Sequence, residues 1–379
     1  MKIAFLSDFD LRGSGYKNLS SAFCEGLMAL GHEVKAIGFG YFGQEHDHTF
    51  TLIPSPDMKT SLACIYNLRA AWQFDVLVVA LDIPIQNLII DNIQNIKGLF
   101  KYVGIMPIEA DPLCQTWAMI LLQMDLPLII SHFGVEEAHK ANVLSAKYIQ
   151  LGIDSDLWKS PTPEEKKKYR KRMLNVQDDE TFVVLTVADN QERKNLSAAI
   201  EAFQQFSKKV PNSKYVLVTR QHNTVGWALD DLRSEFGLQD KFMIMERGMP
   251  QEELWMLYAA SDCFLLTSKA EGLGLPLLEA MSVGVPCIAT DCTGMRELLS
   301  DGRGTLVHAK DVIRDTFGNG RRYYIDIKKT KDALLQVYET RPDTKAAQEF
   351  VRARKWDDSI QSLNTMLMGL FEEKHEQTA

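Results

Sequence analysis

Short runs of β-branched and apolar residues recur along the first part of the chain: Ile3 to Leu6, Val34 to Gly38, Val76 to Leu81, Tyr102 to Ile105, Leu128 to Ile130 and Tyr148 to Leu151. A helical stretch follows each, the cadence of a parallel sheet covered by helices. The rhythm pauses near Gly152, and Lys159 to Arg172 is punctuated by prolines and then highly charged. A second set then begins with Phe182 to Val187 and continues through Tyr215 to Thr219, Phe242 to Met245, Cys263 to Thr267, Cys287 to Thr290 and Thr305 to Val307. Between the first two runs of this set, Leu196, Ile200, Phe203 and Phe206 stand at helical spacing and make one apolar stripe. The pattern predicts an α/β protein of two doubly wound, Rossmann-like domains, residues 1–157 and 158–343, facing across a cleft where ligands meet the carboxyl ends of the strands. The tail, 344–379, is helical in composition, and Trp356 gives it an apolar anchor for docking back on the body.

Length agrees with this division, since 379 residues exceed what one core of roughly 250–300 residues accommodates. Fifty acidic against 42 basic residues give a net charge of -8, which repels polyanions and argues against a nucleic-acid partner. The six cysteines form no CxxC pair and have no histidine at metal-ligand spacing, so they read as reduced thiols of a cytoplasmic protein. At the N-terminus Asp8 interrupts an apolar run too short for a signal-peptide core. The most apolar stretch, Trp117 to Ile130, is broken by Gln123, Asp125 and Pro127 and falls short of the roughly 20 residues that span a bilayer. Membrane contact is expected to be peripheral at most. The run Lys166 to Arg172 reads either as a site for anionic lipid headgroups or as a solvated helix at the domain junction.

The strongest chemical constellation is Glu271-Gly-Leu-Gly-Leu-Pro-Leu-Leu-Glu279, directly after an apolar strand. Gly272, Leu273, Gly274 and Leu275 form a turn that lets a ligand approach backbone N–H groups, and Pro276 suits the first turn of a helix. Strand, glycine turn and helix start together make an anion site. Glu271 and Glu279 beside such a site would repel a phosphate but accept hydrogen bonds from sugar hydroxyls, so the site fits a nucleotide sugar. A second cluster, Asp189-Asn-Gln-Glu-Arg193-Lys194, opens the helix after the Phe182 strand. Cations there oppose the helix dipole, and a pyrophosphate explains them. Arg193 and Lys194 would offset charge growing on a departing nucleoside diphosphate, the role metals play elsewhere.

With the continuation Ala280-Met-Ser-Val-Gly284-Val-Pro286 and the later Glu297 and Gly302-Arg-Gly304, this glutamate pair resembles glycosyltransferase family 4, most clearly from about Phe182 to Val307. The resemblance implies the GT-B fold, no metal and no cofactor beyond the co-substrate, and transfer from an activated donor with retention of anomeric configuration. It implies that Glu279 holds the donor ribose and that Glu271, with the backbone of Gly272 to Gly274, grips the donor sugar. It also places the nucleotide base against Arg247, Gly248 and Met249. Lys194 matches the family's phosphate-binding lysine, while Asp189 stands where the family commonly has an arginine.

In the first half, Arg12-Gly13-Ser-Gly15-Tyr16 follows the first strand and reads either as a flexible loop in which Gly13 and Gly15 approach the donor phosphates or the acceptor, or as a plain connecting turn. It lacks the full GxGxxG spacing of a dinucleotide fingerprint, and the resemblance implies a glycine-rich loop that often faces the acceptor side. The family's mid-domain histidine is replaced by Pro107-Ile-Glu109-Ala-Asp111-Pro112. Glu109 and Asp111 read either as polar contacts to sugar or acceptor or as a helix-capping loop. His132, at a strand end, reads as structural before catalytic. Asp8-Phe-Asp10 and Asp154-Ser-Asp156 mimic a metal-binding DxD but lack its setting.

These readings converge on a retaining glycosyltransferase using a UDP- or GDP-linked sugar and an acceptor that is a glycan, lipid, protein or small molecule. Retention proceeds through a glycosyl-enzyme on a carboxylate or by attack from the leaving-group face, and the sequence leaves both open. The rivals are a sugar-nucleotide epimerase or phosphorylase on the same fold and a non-catalytic sugar-nucleotide or glycan-binding module.

Overall fold

Apolar runs bounded by turn residues become strands buried on both faces. A computed structural model describes residues 1–10, 15–221 and 226–372. The chain divides into two units: Met1–Ile108, Pro112–Gly152 and Arg354 onward form one, and Glu109–Asp111 with Ile153–Ala353 form the other.

The first unit is built on β1 (Lys2–Asp8), β2 (Glu33–Phe39), β3 (Thr51–Ser55), β4 (Val76–Ala80), β5 (Lys101–Met106), β6 (Leu126–Ile129) and β7 (Lys147–Tyr148). They pair in the order β3-β2-β1-β4-β5-β6-β7, all parallel, with Ile3 opposite both Val34 and Val76. Helices α1 (Gly15–Ala29), α2 (Met58–Ala71), α3 (Ile83–Asn92), α4 (Gln115–Leu121) and α5 (His132–Lys140) connect them. The run Tyr148 to Leu151 pairs only at its start, and β3 was hidden in the sequence by Pro54, which is tolerated because β3 is an edge strand.

In the second unit, β8 (Phe182–Val187), β9 (Ser213–Thr219), β10 (Phe242–Glu246), β11 (Cys263–Leu266), β12 (Cys287–Thr290) and β13 (Thr305–Val307) form a parallel sheet in the order β10-β9-β8-β11-β12-β13. Its helices are α6 (Pro163–Leu174), α7 (Leu196–Ser207), α8 (Leu229–Glu235), α9 (Gln251–Ala260), α10 (Leu275–Val283), α11 (Thr293–Leu299), α12 (Ile327–Thr340) and α13 (Lys345–Arg352). The predicted stripe of α7 is wholly buried at Leu196, Ile200, Phe203 and Phe206. A hairpin absent from the sequence reading, β14 (Ala309–Arg314) and β15 (Arg321–Ile325), follows β13. Charged residues interrupt both of its strands, so no apolar alternation announces it.

The last helix, α14 (Trp356–Glu372), belongs to the first unit and lies on α1. Trp356 packs edge-on to Phe23 with ring centroids 5.6 Å apart, and Leu363 and Leu367 are fully buried. Gly26 makes the close approach possible, since a Cβ there would stand 2.3 Å from Ile360 Cδ1.

Candidate active site of the second unit

The strand order of the second sheet reverses between β8 and β11, and a doubly wound sheet leaves a crevice at the carboxyl ends of two such strands. The loops leaving these two strands carry the chemistry. After β8 the chain makes a single 3-10 turn, Glu192–Lys194, and Asn195 adopts φ 52° to launch α7. After β11, Thr267 Oγ1 donates to the carbonyls of Lys194 (3.2 Å) and Asn195 (3.0 Å), and Lys269 N donates to Arg193 O (2.8 Å). The two loops are thereby fastened by one backbone pair and the Thr267 hydroxyl, which brings their side chains together.

Glu271 is the hub. Its Oε1 accepts from Lys194 Nζ at 2.5 Å and from Ser268 Oγ at 2.6 Å, and its Oε2 accepts from Arg193 Nη1 at 2.9 Å. Burial alone would raise the pKa of this carboxyl, but Lys194 and Arg193 outweigh burial and hold it at about 2. Burial and the adjacent Arg193 in turn pull the Lys194 pKa below the ordinary lysine value. Arg193 and Lys194 therefore have a partner within the protein, whereas the sequence pointed to a pyrophosphate or to a solvated charged turn.

Glu271 N donates to Thr293 Oγ1 at 2.9 Å and Gly294 N donates to Glu271 O at 3.0 Å, so the start of α11 braces the loop. Position 294 must be glycine for this, because a Cβ would lie 2.5 Å from Gly272 O. Gly272 and Leu273 are buried in the turn, Gly274 takes φ 103°, and α10 begins at Leu275 with Pro276 in its first turn. Glu279 lies inside α10, where its Oε2 accepts from the Tyr258 hydroxyl at 2.7 Å. Burial raises its pKa to about 7, with the Tyr258 hydrogen bond working in the opposite direction.

Asp189, where the family commonly has an arginine, sits between two guanidinium groups. Its carboxylate accepts from Arg220 Nε at 2.6 Å, pairs with Arg220 Nη2, and lies 3.3 Å from Arg247 Nη1. Burial opposes the charged form, but the two guanidinium groups prevail and leave its pKa below the ordinary aspartate value. Three adjacent strands, β8, β9 and β10, thus end in one ion-pair cluster. Sequence reasoning missed Arg220; the available signal was a cation directly after an apolar strand. Gly248, with φ 93°, and Met249 follow Arg247 in the same loop.

Glu109 and Asp111 belong to this unit and do not cap α4, whose N-cap is Cys114. Glu109 Oε2 pairs with Arg193 Nη1 at 3.0 Å, and burial raises its pKa against the pull of Arg193 and Arg322. Asp111 accepts from the Tyr323 hydroxyl and pairs with Arg321 at 3.3 Å, both on β15.

In the first unit, Gly15 is the exposed first residue of α1, and Gly13 lies outside the described residues. His132 stacks on Tyr148 with centroids 3.8 Å apart. Of the basic run on α6, Lys166 and Arg170 turn inward to Asp262, while Lys167, Lys168, Lys171 and Arg172 are exposed. Asp8 and Asp154 each accept backbone N–H groups of their own turns. Among the described residues, no helix is long and apolar enough to cross a membrane.

Residues 167–315 match the family model for glycosyl transferases group 1. The matched span begins in α6, covers both loops of the site and ends just after β14. The O-antigen chain mannosyltransferase B of Escherichia coli is 32% identical over 130 residues, 34% of this chain and 33% of that protein. The GDP-mannose-dependent alpha-(1-6)-phosphatidylinositol monomannoside mannosyltransferase of Mycolicibacterium smegmatis is 28% identical over 174 residues, 44% of each chain. The chain thus spans a third to under half the length of these relatives. Among solved structures, sucrose-phosphate synthase from Thermosynechococcus elongatus is similar at TM-score 0.79 and 17% identity, over 98% of this chain and all of that one. Anabaena HepE in complex with UDP-glucose is similar at TM-score 0.73 and 18% identity, over 97% of this chain and 100% of that one. The fold, two Rossmann-like α/β units, is that of the GT-B glycosyltransferases.

Proposed function

We propose that this chain is a retaining glycosyltransferase of the family 4 type, which moves a sugar from a UDP- or GDP-linked donor to an acceptor hydroxyl and needs no metal. The observation that carries the reading is the convergence of Lys194 and Arg193 on Glu271, beside a glycine turn that opens a helix at the switch point of the sheet. The relatives named above, two mannosyltransferases and a protein complexed with UDP-glucose, support a nucleotide-sugar donor.

On this reading the diphosphate takes Lys194 and Arg193 from Glu271. The freed carboxylate accepts hydrogen bonds from the donor sugar, and the two cations face the charge that grows as the anomeric C–O bond breaks. Glu279 accepts from the ribose hydroxyls, with Tyr258 orienting it. Arg220, held by Asp189, supplies the guanidinium that the family commonly carries at position 189 and points it toward the same diphosphate. Glu109 contacts the sugar or the incoming hydroxyl.

The test is turnover with UDP- and GDP-linked sugars against an acceptor panel, with a thermal-shift measurement for each nucleotide. Release of UDP or GDP with formation of a glycoside of unchanged anomeric configuration is expected, undiminished by EDTA. Failure of every nucleoside diphosphate to raise the melting temperature refutes the reading. Saturable binding without hydrolysis or transfer marks a binding module instead.

A further inference from the structure

The hairpin β14–β15 brings a second pair of cations to the edge of the site. Tyr323 N donates to Lys269 O at 2.9 Å, so β15 runs beside the loop that carries Glu271. This places Arg322 and Lys269 together, and each side chain is only 3% exposed. Among the described residues, Arg322 Nε and Nη1 donate no hydrogen bond, which is uncommon for a buried guanidinium. Its nearest carboxylates are Asp315, 3.5 Å from Nε, and Glu109, 3.7 Å from Nη2. Both stand beyond the roughly 2.7–2.9 Å of a charge-assisted hydrogen bond. Glu109 is already engaged by Arg193 at 3.0 Å. Lys269 pairs with Glu192, whose side chain is 57% exposed, and its ammonium lies 4.2 Å from the centroid of Tyr324.

Resting on the glycosyltransferase reading, we propose that Arg322 and Lys269 form a carboxylate-binding subsite that recognises an acidic substituent on the transferred sugar or on its acceptor. A planar carboxylate matches the guanidinium fork with one edge and leaves a lone pair for the ammonium. It takes the place that Asp315 now holds, and Asp315, on the turn of the hairpin, swings outward. Burial lowers the Lys269 pKa to about 8, Asp315 opposes that shift and Arg322 adds to it, so a carboxylate that takes the place of Asp315 would keep the ammonium favoured. The diphosphate has its own cations in Arg193 and Lys194, which leaves this pair for a different anion.

The experiment compares matched probes by titration calorimetry. The donor arm sets UDP-glucuronate against UDP-glucose and GDP-mannuronate against GDP-mannose. The acceptor arm sets glucuronate and malate against glucose, each with UDP or GDP present. In one arm the carboxylated probe should bind at least tenfold more tightly, which also tells whether the acid is on donor or acceptor. Arg322→Gln should erase that preference while UDP and GDP bind as before, and Lys269→Gln should reduce it, giving a second reading should the first variant fold poorly. No preference in either arm, or a preference that survives both substitutions, overturns the subsite while leaving the proposed activity intact. If neither UDP nor GDP binds the unmodified protein, the glycosyltransferase reading fails and takes the subsite with it.

Discussion

Replacing Glu271 with glutamine should destabilise the protein by about 3 kcal/mol at neutral pH. The carboxyl falls from 4.5 to about 2 on folding, and each pH unit of such a change corresponds to about 1.4 kcal/mol. Because the folded value is the lower one, this stability is fully present above about pH 4.5 and is lost as the pH falls through about 2. Glutamine keeps the shape and an oxygen for Ser268, but it leaves the half-buried Lys194 without its paired carboxylate and Arg193 with Glu109 as its remaining carboxylate partner. Urea unfolding of both proteins, followed by circular dichroism at pH 7.5, 4.5 and 3.5, measures the difference. The gap should be near 3 kcal/mol at the two higher values and about 1 kcal/mol smaller at the lowest. A gap under about 1 kcal/mol at neutral pH, or one that stays constant across the series, would show that Glu271 is not the electrostatic centre of the cluster.

Glu279 has the opposite sign: its pKa is raised to about 7, so the stability tied to its protonated form is present below about 4.5 and lost as pH rises through about 7. Glu279→Gln should therefore raise stability at pH 8 by up to roughly 3 kcal/mol, converge with the parent near pH 4.5 in thermal melts, and weaken nucleotide binding. Lys194→Ala should lower kcat roughly 100- to 1,000-fold in a transfer assay, the loss typical of one charge-stabilising donor. Arg220→Ala should weaken UDP or GDP binding about tenfold by calorimetry and leave affinity for the nucleoside alone unchanged, the signature of a phosphate contact worth about 1.4 kcal/mol. Gly294→Ala forces a Cβ to within 2.5 Å of Gly272 O, and should cost about 1–3 kcal/mol in urea unfolding.

The periodicity of apolar runs was enough to read both parallel sheets, because strands buried on two faces announce themselves as unbroken apolar stretches. Edge and surface elements did not. β3 carries a proline that only its edge position permits, and β14 and β15 are too charged to stand out from a loop. The glycine turn from Glu271 to Glu279 was legible because strand, turn and helix signals are contiguous in sequence. The pairing of Lys194 with Glu271 and of Asp189 with Arg220 was not, since each joins residues on separate loops that only the sheet order brings side by side. Arg322 was invisible for the same reason.

The placement of α14 has a consequence for synthesis on the ribosome. The helix that covers α1 of the first unit emerges only after Ile153–Ala353, so the N-terminal sheet waits with the apolar face of α1 uncovered while the later unit is translated. Nascent chains arrested before Trp356 should therefore be more prone to aggregate and to bind chaperones than the finished chain, and supplying the missing helix as a separate peptide should relieve that vulnerability.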